Sequence, residues 1–258
     1  MGWGDELIVT GIARKMQEHD RRKLRVVYEG GASRWCELWN GNPRIARRDE
    51  RGNFRLLRAR SDGLRPYMAA QSPRRWTWKQ YAPPVGEIYF AEAERQFGAR
   101  YAERLIVEPN LKAKASRNKD WGWARWVALA SLLQARLGMR VTQLGPAGTR
   151  LLPGAEHVVT PSIRRAAAVI ATARAAVLTE GGLHHVAAAV GTRAVVIYGG
   201  YISPAVTGYE RQLGFFTGEG FGCGMRVPCA HCHEAMARID PARVADSLAG
   251  LLEQKAAA

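Results

Sequence analysis

Downstream of residue 104 the chain alternates short apolar runs with longer stretches of helical period. The apolar runs RLIVEPN (104–110), MRVTQLG (139–145), HVVT near His157, AAVLT (175–179) and RAVVIYG (193–199) are strand-length and end at Gly, Pro, Asn or Thr. Between and after them, residues 123–137, 162–173, 183–190 and 241–254 carry the spacing of amphipathic helices. Strand alternating with helix predicts an α/β fold with a parallel, doubly wound sheet covered on both faces. Ligands of such sheets bind beyond the carboxyl ends of the strands.

The first third of the chain is less regular. Apolar residues 7–9 read as a short strand, 11–20 as a helix with exposed basic positions and 24–29 as a second strand, a β-α-β opening. Residues 30–84 are crowded with Arg, Gly, Pro and Trp and read as loops around one or two short strands such as 54–57. The segment 86–102 then reads as a helical entry into a second unit. The expected organisation is an N-terminal lobe over 1–84 and a C-terminal lobe over 85–258, with no internal repeat.

Composition changes this picture little. At 258 residues, 47% hydrophobic and 24% charged, the chain has enough material for one extended domain or two small ones. Charge adds more: 38 Lys+Arg against 23 Asp+Glu give +15, which favours anionic partners such as nucleic acid, acidic lipid or phosphorylated substrates. The start of the chain, with Gly-Asp-Glu at positions 4–6, does not read as a secretory signal. The longest apolar runs, 166–178 and 186–198, are broken by Arg or Thr and fall short of the ~20 residues of a membrane span. These features predict a cytoplasmic protein, with peripheral work at a membrane face open to it. Four cysteines in such a compartment suit packing or metal binding better than disulfides.

Candidate chemistry gathers where strands end. After strand 104–110 come Lys112, Lys114, Arg117 and Lys119, with Ser116 among them and a helix following. Hydroxyl, ammonium and helix-terminal N–H groups together bind phosphate, while the alternative is a solvated basic loop. After strand 175–179 come Glu180, Gly181 and Gly182, where glycines permit close backbone approach and the acid can accept from ribose hydroxyls; alternatively this is a tight, self-capped turn. His184 and His185 are neighbours, so on a helix they point about 100° apart and do not make the i, i+4 metal pair. Asp5, among glycines at the chain start, reads either as a base or as a helix cap.

Near the C-terminus, Cys223, Cys229 and Cys232 with His231 and His233 fall within eleven residues in C-x5-C-x2-C spacing. They can hold structural Zn or Fe, with Cys36 or a histidine as fourth ligand, or form a reduced, unligated loop. Arg interleaved with Trp in SPRRWTWKQY (72–81) raises base stacking as a further possibility, although the basic residues are spread and no binding module is recognisable.

Four segments together resemble glycosyltransferase family 9, the group of the bacterial ADP-heptose heptosyltransferases: GDELIVTG (4–11), SRNKDWGWARW (116–126), TQLGPAG (142–148) and TEGGLHHVAAAVGTRAVVIYGGYISPAVTGY (179–209). The resemblance covers most of 105–209 and thins at the N-terminus. It implies a GT-B architecture of two Rossmann-like lobes with parallel sheets, the N-terminal one shortened. It further implies Asp5 as catalytic base, Lys119 and Ser116 at the donor diphosphate, Glu180-Gly181-Gly182 in place of the family's Asp-Thr-Gly, and His185 as the histidine that follows. Lys112 joins the donor-binding set from its place in the basic loop. No obligatory metal is implied, though some relatives are similar in carrying a cysteine-rich C-terminal loop, in some cases with iron. The departures are Glu for Asp, Gly181 for Thr, and Gly199-Gly200 for Gly-Pro.

Three functions follow as expectations. The first is an inverting transferase moving a sugar from a nucleotide sugar to a hydroxyl of a polar or anionic acceptor, a cell-envelope glycan, glycolipid or protein, with lipopolysaccharide among the possibilities and contact with the inner membrane face. The second is a non-catalytic nucleotide-sugar binder. The third is a nucleic-acid-binding protein.

Overall fold

The computed structural model describes residues 2–59, 64–113 and 115–256 of the chain. At its centre is a six-stranded parallel sheet. Its strands are β5 (Leu105–Glu108), β6 (Val141–Gly145), β7 (Glu156–Val159), β8 (Ala175–Thr179), β9 (Ala194–Gly199) and β10 (Gln212–Phe216), in the order β7-β6-β5-β8-β9-β10. The chain enters at β5, builds outward through β6 and β7, then returns to the other side of β5 with β8. The switch point, where a doubly wound sheet opens a crevice, therefore lies between β5 and β8.

Helices cover both faces. On one, α3 (Trp123–Leu137) packs with α8 (Pro241–Ala256), burying Trp126, Leu129, Leu133, Val244 and Leu248 against Val107, Val177 and Val195. On the other lie α4 (Ile163–Thr172) and α5 (Gly182–Ala189), with α2 (Glu92–Ala99) against α4. The doubly wound α/β arrangement and the 175–179 strand are as the sequence predicts. Strand β10 and the short helices α6 (Pro204–Thr207) and α7 (Ala230–Ala237) are additions to it.

The N-terminal region departs from the β-α-β opening. Residues 7–9 are not a strand: they lie inside α1 (Trp3–Gln17), which packs on α5. Leu7, Ile8 and Val9 are all fully buried, because α1 is covered on almost every side over its first two turns. A helix buried all round loses its apolar stripe, so three adjacent apolar residues mimic a strand. Gly4 and Gly11 allow this packing: a Cβ on Gly4 would collide with the His185 ring, and one on Gly11 with the carbonyl oxygens of Pro84 and Val85.

After α1, β1 (Leu24–Tyr28) pairs in parallel with β2 (Arg55–Ala59). A hairpin of β3 (Met68–Gln71) and β4 (Trp76–Trp78) completes this small lobe. The hairpin reaches across to the C-terminal loop. Trp76 N–H donates to the Gly224 carbonyl at 2.9 Å, Arg226 N–H to that of Arg74 at 2.9 Å, and Trp78 Nε1 to that of Tyr201 at 2.9 Å. Trp78 is thus buried, and Trp76 is half-buried between the guanidinium groups of Arg65 and Arg226, 5.0 and 5.5 Å from its ring. The tryptophans of the Arg-Trp segment are thus packed inward and offer no open stacking ladder, while Arg74 and Arg75 are exposed.

Candidate active site

A cleft of about 1020 Å³ opens at the carboxyl ends of β5 and β8. The loop after β5 contributes Lys112, Ser116 and Lys119, and the turn after β8 contributes Glu180, Gly181, Gly182 and, from α5, His185. The start of α1 adds Gly2 to Asp5. Every residue expected from the sequence at the catalytic and donor positions therefore lines one cavity. Of the remaining loop cations, Arg117 is exposed and is not part of the lining, as the solvated-loop reading has it, and Lys114 lies outside the described residues.

Lys119 and Glu180 form an ion pair across the switch point, the carboxylate 5% and the ammonium side chain 19% exposed. Burial alone would push the Glu180 carboxyl up, but Lys119, His184 and the Thr207 hydroxyl together outweigh it and hold it below the ordinary carboxylate range. Gly181 enters α5 in extended backbone, and its N–H donates to His184 Nδ1 at 2.9 Å. That bond leaves the proton of His184 on Nε2, which donates to the Thr207 carbonyl at 2.9 Å.

Glu180, His184 and His185 bring potential metal-binding atoms within 4.8 Å of one another. Both ring nitrogens of His184 are already committed, so this trio is a hydrogen-bonded wall and not a cation site. The two histidine rings lie 4.0 Å apart. His185 faces the cleft, its Nδ1 2.7 Å from the Tyr209 hydroxyl. Burial, then His184 and Lys119, drive its pKa well below the ordinary imidazole value, so the ring is neutral.

Asp5 is both a cap and a cleft group. Its Oδ2 accepts from Gly2 N–H at 3.2 Å, closing the first turn of α1, and lies 3.5 Å from Arg65 Nε. Its Oδ1 accepts from the Tyr67 hydroxyl at 2.6 Å. Burial raises its pKa, against the opposing pull of Tyr67, Arg65, Gly2 and Lys112. A carboxylate of raised pKa, oriented by a phenol and lining a cleft, is equipped to take a proton.

Several cleft residues are not placed at the site by the sequence, which offers Trp76 only as a candidate for base stacking. Arg65, Tyr67 and Trp76 come from the irregular 30–84 segment and Arg226 from the cysteine loop, all delivered by the hairpin's docking. Glu108, the last residue of β5, is 5% exposed. Its Oε1 accepts from Asn110 N–H at 3.0 Å and Nδ2 at 2.9 Å, and its Oε2 from Leu144 N–H at 3.1 Å. It bridges β5 to β6 beyond Ile106 and Thr142, where their pairing ends. Burial pushes its carboxyl up to about 7. An acid following Val107 in an apolar strand could have been noticed.

The cysteine loop adjoins the cleft. Cys223 Sγ is 2.9 Å from Cys232 Sγ and 3.8 Å from Cys229 Sγ, and Cys232 Sγ is 3.9 Å from His231 Nδ1. One potential ligand atom from each of these four residues lies within 4.8 Å of the others. Hydrogen bonding from Cys232 brings the Cys223 thiol down to about 5, the reciprocal effect raising Cys232. His231 is the histidine of this cluster; Cys36, the other fourth ligand considered, is buried among Leu38 and Trp39 in the N-terminal core, and His233 is outside the group. The cluster can hold a metal ion: three thiolates and an imidazole are a tetrahedral Zn or Fe donor set.

Among the described residues no helix is long and apolar enough to cross a membrane.

Residues 68–217, more than half of the chain, match the family model "Glycosyltransferase family 9 (heptosyltransferase)". Among solved structures, a glycosyltransferase family 9 protein from Veillonella parvula is similar at a TM-score of 0.67 and 14% identity, over 98% of this chain and 95% of its own. The iron-containing dodecameric glycosyltransferase TibC of enterotoxigenic Escherichia coli gives 0.62 and 15%, over 98% and 74%. The E. coli ADP-heptose lipopolysaccharide heptosyltransferase II gives 0.50 and 21% over 67% of this chain; the match spans only 55% of that enzyme's length. No curated protein sequence matches significantly. The structural likeness extends the GT-B reading of the fold to this chain, with its N-terminal lobe reduced to α1, the β1-β2 pair and the hairpin.

Proposed function

Because the chain belongs to glycosyltransferase family 9, we propose that it transfers a sugar from a nucleoside-diphosphate sugar to a hydroxyl of a polar acceptor, with inversion at the anomeric carbon. The observation carrying this reading is the convergence of Asp5, Lys119 and the Gly181-Gly182 turn on one cleft at the switch point. Asp5 takes the proton of the acceptor hydroxyl as its oxygen attacks the anomeric carbon. The bond from that carbon to the diphosphate oxygen breaks, and the nucleoside diphosphate leaves with the electron pair. Lys112, Lys119, the Ser116 hydroxyl and the N–H groups opening α5 neutralise the charge that develops. In this role Lys119 exchanges Glu180 for phosphate, and Glu180 is free to accept from a donor hydroxyl. His185, neutral and held by Tyr209, supplies a ring nitrogen at the same wall.

Two features favour an anionic acceptor, such as an acidic envelope glycan or glycolipid. Arg65 and Arg226 flank Trp76 on the Asp5 side of the cleft. Arg21, Arg47, Arg48, Arg51, Arg55 and Arg58 are exposed on the N-terminal lobe, suited to peripheral contact with an acidic membrane face from the cytoplasm. The cysteine cluster we assign as a structural Zn or Fe site, outside the chemistry of transfer. For a tetrahedral ion with metal–sulfur bonds of about 2.3 Å the sulfurs stand about 3.8 Å apart. The Cys223–Cys229 separation of 3.8 Å already meets this, and Cys232 has to withdraw from Cys223.

Calorimetric titration with ADP, GDP, UDP and CDP tests the donor assignment, ADP being the nucleotide in the heptosyltransferase II relative's name. One diphosphate binds, and binding weakens at least tenfold in Lys119→Met. Failure of all four to bind the wild-type protein would remove the donor assignment.

A further inference from the structure

Asn118 sits between the two clusters just described. It is 4% exposed and occupies the single turn of 3-10 helix over Arg117–Lys119, directly before the cleft lysine. All of its side-chain bonds run to the cysteine loop. Nδ2 donates to the carbonyls of Met225 at 2.7 Å and Val227 at 2.8 Å, and Oδ1 accepts from Cys229 N–H at 3.0 Å. Within the turn, its own N–H donates to Ser116 Oγ at 3.3 Å. Through its side chain and its main-chain N–H, Asn118 therefore ties the Ser116–Lys119 turn to a segment that begins and ends on potential metal ligands, Cys223 and Cys229. Residue 226 lies inside that segment and sends its guanidinium to the cleft.

Much of the loop is glycine-rich and exposed. Gly220, Gly222 and Gly224 all have positive φ, and Val227 and Phe221 are exposed at 50% and 39%. Besides Asn118 it is held by Cys223 N–H to the Gly200 carbonyl, Gly224 N–H to that of Tyr201, Ser203 N–H to that of Phe221, Arg75 Nε to that of Cys223 at 2.8 Å, and the hairpin main-chain bonds at Arg74 and Trp76. A loop of this composition carries a large conformational entropy, which cross-linking at 223, 229 and 232 would remove.

We propose that metal held by Cys223, Cys229, His231 and Cys232 sets the donor site through Asn118, so that occupancy of the cysteine cluster controls the position of Lys119 and with it the affinity for a nucleoside diphosphate. Asn118 is a positioning residue: it touches neither metal nor donor and transmits the order of one to the other. The inference rests on the donor assignment of Lys119, and it makes the cysteine loop a control point of the cleft instead of a remote staple.

The test is a two-by-two comparison of wild-type protein and Asn118→Ala, each reconstituted with Zn²⁺ and each stripped by chelator under reducing conditions. Metal content is read by mass spectrometry, ADP affinity by calorimetry and amide exchange across residues 115–122 by hydrogen-exchange mass spectrometry. Wild-type protein takes up one Zn²⁺ per chain, binds ADP at least tenfold more tightly with metal than without, and shows slower exchange at 115–122 when loaded. Asn118→Ala still takes up one Zn²⁺, yet binds ADP as weakly as stripped wild type and gains nothing from metal in either readout. Asn118→Asp, which turns a carboxylate oxygen toward the Met225 and Val227 carbonyls in place of both donor bonds, gains no more from metal than Asn118→Ala, and circular dichroism checks that each variant is folded.

Absence of stoichiometric Zn²⁺ uptake, or equal ADP affinity and equal exchange in loaded and stripped wild type, overturns the proposal. So does a metal response in Asn118→Ala as large as that of wild type. Metal-dependent protection at 115–122 in a protein that binds none of ADP, GDP, UDP and CDP in either state would instead overturn the donor assignment and leave the coupling standing.

Discussion

Replacing Lys119 by methionine removes the countercharge of a carboxylate that has almost no contact with solvent. Glu180 is 5% exposed, and Thr207 is its other side-chain partner, at 3.3 Å from Oε1. Breaking a buried pair by deleting one member costs roughly 3–5 kcal/mol, because the remaining charge is stranded. The Lys119 side chain is 19% exposed, which places the expected loss at the lower end, about 3 kcal/mol. For a chain of this size that is a fall of about 6–12 °C in Tm.

The pH dependence has a definite sign. In the wild type the Glu180 carboxyl is held low, so its contribution is present at neutral pH and is lost as pH falls through its folded-state value. Without Lys119, burial dominates and lifts the carboxyl, and the folded state then favours the protonated form. The gap between wild type and variant is therefore largest near neutral pH and narrows on acidification to about pH 5. The double variant K119M/E180Q recovers most of the lost stability but not the affinity for nucleoside diphosphate. Thermal unfolding of the wild type and the two variants at the two pH values decides the matter. A loss below about 1 kcal/mol in the single variant, unchanged by acid, would show that Lys119 does not hold the Glu180 charge.

Asp5→Asn keeps an oxygen for the Tyr67 hydroxyl while abolishing the base; turnover falls about 10²–10⁴-fold with ADP affinity within about twofold of wild type. Burial raises the Asp5 pKa, so its contribution to stability is lost as pH rises and D5N is no less stable at neutral pH. Gly4→Ala drives a methyl into the His185 ring and costs about 1–3 kcal/mol, whereas Gly250→Ala, in open space on α8, gains about 0.5–1 kcal/mol; chemical denaturation compares them. Glu108, displaced from 4.5 to about 7, contributes stability below its ordinary range that fades as pH rises toward 7, a swing of about 3 kcal/mol. In Glu108→Gln that part of the stability-versus-pH curve flattens.

The C-terminal half was legible because its signals are local. The run AAVLT is β8 to the residue, and 123–137 is α3 to the residue, ended by Gly138 in the left-handed conformation. The donor-side residues were legible for the same reason: each follows a strand and precedes a helix, a relation contained within a few residues of sequence. Tyr67, Arg65 and Arg226 were not, since only the docking of the β3-β4 hairpin brings them to Asp5 and the cleft. Strand β10 is an edge strand with Leu213 43% exposed and a glycine at 214, so it shows neither alternation nor a continuous apolar run. Residues 7–9 failed for the opposite reason, being too uniformly apolar to reveal a helical period. The spacing of Cys223, Cys229 and Cys232 announced a cluster, but the choice of His231 over Cys36 as its neighbour depended on where α7 begins.

The hairpin bonds from β4 to the cysteine loop bear on the catalytic cycle itself. Trp76 and Arg74 hold Gly224 and Arg226 through main-chain groups and Trp78 holds the Tyr201 carbonyl through its indole N–H, while α1 presses without a side chain at Gly4 onto α5. These bonds join the N-terminal lobe to the C-terminal loop on one side of the cleft and to α5 on the other, so the width of the gap is tied to the order of the cysteine loop. On the proposed function, loosening that loop by removal of its metal is expected to widen the cleft and to speed release of the nucleoside diphosphate.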